Sequence, residues 1–67
     1  MVEKVKKYVE SELANIKRGY DPNLALTRSY GALMFVLSDE WNEDLAKWWD
    51  NYAHPRFRKE IANVKSK

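Results

Sequence analysis

The sequence contains no cysteine, one histidine, two glycines and two prolines among 67 residues. Without cysteine there is no disulfide framework, thiolate metal site or cysteine nucleophile, and a small chain without such cross-links fits a reducing, cytoplasmic setting. The longest apolar run, Ala32 to Leu37, is far shorter than the ~20 residues of a membrane-spanning helix. Near the N-terminus charged residues alternate with single apolar ones, so no signal peptide and no membrane association are expected.

Charge and length set further limits. Twelve basic and ten acidic side chains give a net charge of +2, which by itself does not indicate a nucleic-acid-binding protein. A chain of this size buries roughly 60% of the surface that it exposes when unfolded, so its core is small. We therefore expect one domain over residues 1–67, stabilised by close helix packing or by a second chain.

Residues that favour strands are scarce. Valine and isoleucine number seven together and threonine occurs once, whereas leucine, alanine, lysine and glutamate are plentiful. The predicted fold is all-α, a small bundle of three helices plus a short C-terminal fourth helix after Pro55. The predicted helices cover residues 2–18, 22–37, 40–53 and 55–64, and residues 65–67 are expected to fray.

The first two helices are separated by a clear turn signal. Gly19 suits the left-handed conformation that ends many helices, Asp21 is a good N-cap, and Pro22 fits the first helical position. A turn this short favours antiparallel packing of the two helices. The first helix carries a single apolar stripe: Val2, Val5, Val9, Leu13 and Ile16.

The second helix is apolar on more than one side, which indicates a central helix or one covered by a partner. Its main stripe, expected in the core, consists of Leu26, Tyr30, Leu33 and Leu37. The second stripe consists of Leu24, Gly31 and Phe35, with Arg28 beside it. Glycine inside a helix costs about 1 kcal/mol relative to alanine, and close approach of another helix would offset that cost. That neighbour is the first helix, the fourth helix, or the same helix of a second chain.

The third predicted helix has an aromatic face that we expect in the core. It consists of Trp41, Leu45, Trp48 and Tyr52. Trp49 lies at the edge of this face and suits the core and an interface equally well, because tryptophan is common in both. Three suitable N-caps stand near the start of the helix: Ser38, Asp39 and Asn42.

Pro55 interrupts the helical pattern. Because proline lacks an N–H and restricts the residue before it, we expect the helix to break or kink near Ala53 or His54. On a straight helix the apolar residues from Phe57 to Val64 would face away from the aromatic face. A kink would bring both sets to the same core.

No pattern indicates catalysis, so we predict that the protein is not an enzyme and has no cofactor. His54 is the only histidine, stands directly before a proline, and is expected to be a structural residue. The nearby carboxylates are expected to stabilise the start of the third helix rather than to bind a metal, because acidic first turns are common. These carboxylates are Asp39, Glu40, Glu43 and Asp44.

Charge is unevenly distributed along the chain. Residues 39–50 carry five acids and one lysine, and residues 51–67 carry five bases and one glutamate. The basic segment could contact phosphates through Arg56, Arg58 and Lys59, but the best-placed recognition helix before it is acidic and would be repelled. Nucleic-acid binding is therefore the alternative function.

The leading hypothesis is a non-catalytic interaction module that acts as an adaptor, inhibitor or regulator. It would dock on a larger protein or form a homodimer by burying the second stripe of the second helix. The predicted interface residues are Leu24, Arg28, Gly31, Phe35 and Trp49. Small size without cysteine is typical of accessory proteins of bacteria or their phages.

Overall fold

The computed structural model describes residues 1–65, which are almost entirely helical and contain no strand. The elements are α1 (Val2–Lys17), α2 (Pro22–Asp39), α3 (Glu43–Trp48), a π-helical turn (Trp49–Ala53) and α4 (His54–Lys65). The predicted all-α bundle is confirmed. Of the residues expected to fray, Lys65 still belongs to α4, and Ser66 and Lys67 lie outside the described residues.

The turn between α1 and α2 forms as its residues predict. Gly19 has a φ of +104°, and its amide bonds to the Ile16 carbonyl at 3.0 Å. The Asp21 carboxylate then accepts a hydrogen bond of 2.9 Å from the Asn23 amide, while Pro22 occupies the first turn of α2. α1 packs mainly against α2. Its first residues lie beside the last turn of α2, so the two helices are antiparallel.

The buried face of α2 is only partly the predicted one: Leu33 and Leu37 are buried as expected, but the other two residues of the main stripe are not. Tyr30 is 51% exposed and Leu26 only partly buried, although the apolar pattern predicts both in the core. Ala25 and Ser29 are buried instead. Leu33 lies where the predicted and the observed buried faces overlap. Small side chains give little periodic signal in a sequence, yet they allow a neighbouring helix to approach closely, so the core face is rotated toward them.

α3 begins later than predicted and is capped by one of the three candidates. The Asn42 side chain accepts a hydrogen bond of 2.9 Å from the Leu45 amide. α2 in turn extends to Asp39, so the connection is only Glu40 to Asn42. Trp41 therefore precedes α3, is 64% exposed, and does not join the core face as expected.

Pro55 does not break the helix, so the predicted break is wrong. In a regular α-helix the proline ring would clash with the Asn51 carbonyl four residues earlier. Here the preceding turn is π-helical, with the His54 amide bonded to the Trp49 carbonyl five residues back. The wider turn accommodates the ring, and His54 keeps helical angles (φ −59°, ψ −44°). The helix consequently continues to Lys65.

The π-helical turn also determines which residues of this long helix are buried. The buried side chains recur every fourth residue: Leu45, Trp49, Ala53 and Phe57. Trp48 and Tyr52, expected in the core, are half-buried and stack on each other with ring centroids 5.4 Å apart. Ile61 is partly buried and Val64 is mostly exposed, so the core ends within α4.

Candidate interaction surface

The side of α2 that faces away from the core is exposed and almost uncharged. Leu24, Arg28, Gly31 and Phe35 follow one another at steps of four, three and four residues, so they share one face, which we call the outer stripe. All four residues are exposed, and Phe35 reaches 71% exposure. An exposed aromatic ring on a helix face with little charge is a typical feature of an interface.

Gly31 forms a notch in the middle of the outer stripe. No side chain and no backbone of a neighbouring element lies within 4 Å of the position that its Cβ would occupy. Neither α1 nor α4 covers this glycine, which removes two of the three neighbours considered for it. Within residues 1–65, the close approach that would offset the cost of a helical glycine is not provided.

An apolar groove runs beside the outer stripe, between α1 and α2. It encloses about 210 Å³ and is lined chiefly by Val5 and Tyr8 of α1 and by Ala32 and Phe35 of α2. Phe35 therefore forms one wall of the groove and also projects beyond it. The sequence pattern does not identify this groove, because its two walls come from different helices and no single periodicity includes them.

Polar groups border the groove on the α1 side. Partial burial of the phenol and the Glu12 carboxylate raise the pKa of Tyr8, while the positive charge of Arg28 lowers it. Arg28 is thus close enough to the α1–α2 seam to influence Tyr8. One Glu12 oxygen and the Ser29 hydroxyl are buried without a hydrogen-bond partner. The seam therefore combines an apolar groove with a charged edge.

Trp49 does not belong to this surface. It is only 5% exposed and lies in the core, so its predicted place at the rim of the stripe is wrong. Its ring lies 5.9 Å from that of Tyr30, 5.9 Å from that of Phe57 and 6.0 Å from that of His54. Trp49 follows Leu45 by four residues and so shares its buried face, whereas the apolar pattern favours the neighbouring face of Trp48 and Tyr52.

The basic residues proposed for nucleic-acid binding are not gathered on one face. The Arg56 guanidinium lies over the Tyr52 ring, 4.3 Å from its centroid. Arg56 and Lys59 line a cleft between α1 and α4 that also contains Glu10 and Glu60. Arg58 lies toward another side of α4, in a depression shared with Asp50, His54 and Lys59, so Lys59 borders both sites while Arg56 and Arg58 do not meet. Acidic side chains thus alternate with these bases.

The remaining chemistry is limited. His54 stacks on Trp49 with an interplanar angle of 11°, which fits a structural residue. Across residues 1–65 no group of three or more histidine or acidic side chains is placed to hold a metal ion. The Glu43 carboxylate instead accepts a hydrogen bond of 3.1 Å from the Trp41 indole.

Comparison with known proteins gives no functional assignment. No family model, curated protein or solved structure matches the chain. None of the helices in the described part of the chain has the length and apolarity needed to cross a lipid bilayer. Function must therefore be inferred from the surface itself.

Proposed function

We propose that the protein is a non-catalytic interaction module that forms a homodimer through the outer stripe of α2. The observation that supports this proposal is the exposure of Phe35 on an almost uncharged helix face, beside an apolar groove and an uncovered glycine. A second copy would cover all three features at once. The proposed location is the cytoplasm, which the absence of cysteine fits, and the proposed role is that of an adaptor, inhibitor or regulator.

The size of the surface indicates which class of interface to expect. α2 has 18 residues and is about 27 Å long, so a helix pair along it buries roughly 1,000 Å² in total. This area is at the lower end of specific interfaces. We therefore expect a reversible homodimer rather than a permanent one.

The first test is light scattering behind size exclusion over about a hundredfold range of concentration. We expect a dimer that dissociates on dilution, and we expect Phe35→Asp to remain monomeric throughout. Burying one phenylalanine contributes about 1.5–3 kcal/mol, and two are buried per dimer, so the association constant should fall at least ~100-fold. Circular dichroism should show unchanged helix content, because Phe35 is exposed in the monomer.

Val64→Asp is a matched control, since it introduces the same charge at another exposed apolar residue, on α4 rather than on α2. It should leave the dimer intact. If the unmodified protein is monomeric over the whole range, or if Phe35→Asp unfolds the chain, the proposal is wrong. A monomer that shifts a DNA or RNA duplex at low salt would support the nucleic-acid alternative, and Arg56→Glu with Arg58→Glu should then abolish the shift.

A further inference from the structure

The charges and apolar groups along α2 are arranged symmetrically about one point. Arg28 and Asp39 lie at equal distances on either side of the bond between Leu33 and Met34. At 3.6 residues per turn they are about three turns apart, so both leave the same side of the helix. They are the only charged residues of α2.

The same point relates the two apolar components of the interface. Ala32, at the base of the groove, and Phe35, at its wall, are also equidistant from the bond between Leu33 and Met34. In a two-fold interface, a contact of residue i with residue j is repeated by j with i. A two-fold axis through this point therefore pairs Arg28 with Asp39 and also Ala32 with Phe35.

We propose that two copies of α2 pack antiparallel about this axis. The register places Arg28 of each copy opposite Asp39 of the other, and the Phe35 ring of each copy over Ala32 of the other, in the groove beside Tyr8. The two Phe35 rings then lie side by side next to the axis. This inference rests on the proposed homodimer and adds its orientation and register.

Charge complementarity favours this arrangement over the parallel one. A parallel pair in register would place Arg28 against Arg28 and Asp39 against Asp39, which is repulsive in both places. Asp39 also stands in the last turn of α2, where a negative charge is unfavourable and no basic residue accompanies it. Within residues 1–65 no ion pair compensates Asp39, whereas Arg28 of an antiparallel partner would do so.

Charge reversal tests the register directly. Arg28→Asp places two acids opposite each other at both ends of the interface, and Asp39→Arg places two bases there. Each variant alone should weaken the homodimer at least ~10-fold. The double variant Arg28→Asp/Asp39→Arg should dimerise again, because the antiparallel register then pairs an acid with a base at each end, whereas a parallel pair would keep like charges together. Arg58→Asp, which changes the net charge as much as Arg28→Asp does, should have no effect.

Distances provide a second measurement, and the absence of cysteine makes single-cysteine labelling straightforward. Spin labels at Asn23→Cys should be about 30 Å apart along the helix axis, and those at Ser38→Cys about 14 Å. A parallel pair would give no separation along the helix axis at either position.

The outcomes separate the two proposals. If the unmodified protein dimerises but the double variant stays monomeric, or if neither pair of labels is separated along the helix axis, the antiparallel register is wrong and the homodimer stands. If the unmodified protein is monomeric, both proposals fail. Circular dichroism of each variant confirms that the fold is retained, so that loss of dimer reports the interface.

Discussion

Trp49 and Phe35 are both large aromatic residues on helices, yet their environments are opposite. Trp49 is enclosed by three other rings, whereas Phe35 is 71% exposed and stacks on no other aromatic ring in the described chain. The sequence predicts both in the same interface. The difference shows that periodicity identifies residues that share a face, while the packing of neighbouring helices determines which face is covered.

The largest expected effect comes from removing the enclosed ring. Trp49→Ala should lower the free energy of unfolding by about 3–5 kcal/mol, because it leaves a cavity in the core. This is a large part of the stability of a domain of this size, roughly 3–10 kcal/mol. Urea denaturation followed by circular dichroism measures the change.

Trp41→Ala is the matched control for that substitution. Trp41 is exposed and makes only a surface hydrogen bond to Glu43, so its removal should change the free energy of unfolding by less than about 1 kcal/mol. Equal losses in the two variants would contradict the contrast between a buried and an exposed aromatic residue.

How far the sequence predicts this contrast depends on the kind of signal. Capping signals are local and chemical, so Gly19, Asp21 and Pro22 correctly place the turn between α1 and α2. The stripe of α1 is also correct, since Val5, Val9 and Ile16 are buried. In both cases the signal that the sequence carries lies within one helix or one turn.

The remaining features depend on packing between helices, and the sequence does not predict them. Ala25 and Ser29 define the buried face of α2 by being small, and an apolarity pattern does not register size. The groove beside Phe35 exists only because α1 lies alongside α2. Of the predicted interface residues, Leu24, Arg28, Gly31 and Phe35 lie together on the surface, and Trp49 does not.

The inner face of α2 offers a second, smaller test. The Ser29 hydroxyl is completely buried and has no hydrogen-bond partner, which is an unfavourable state for a polar group. Ser29→Ala should therefore increase the free energy of unfolding, by about 1 kcal/mol, and raise the melting temperature by about 4–8 °C. A loss of stability would mean that this hydroxyl forms a hydrogen bond in solution that the alanine variant lacks.

The smallest effect on the free energy of unfolding is expected at Tyr52, which is half-buried at the edge of the core. A hydrogen bond to the Glu10 carboxylate, together with partial burial, raises the pKa of Tyr52 above its usual value of 10. The neutral phenol is therefore favoured in the folded state. Its stabilising contribution is complete below pH 10 and is lost as the pH rises through the raised pKa.

Tyr52→Phe should remove part of this pH dependence. The free energy of unfolding of the variant, measured in urea between about pH 8 and 11, should decline less steeply above pH 10 than that of the unmodified protein. A residual decline is expected because the pKa of Tyr8 is raised in the same direction. Identical profiles would show that the Tyr52 hydroxyl is not bound to Glu10.

The π-helical turn constrains how this chain can change in length. A π-turn holds one residue more than the α-turn it replaces, so deleting a residue between Trp49 and Ala53 would restore a regular helix. Pro55 would then meet the carbonyl four residues before it and distort the helix. Conversely, replacing Pro55 alone leaves the wider π-turn in place, although no proline ring then needs the additional space. The extra residue and the proline thus compensate for each other, and losing both together should be tolerated better than deleting the residue alone.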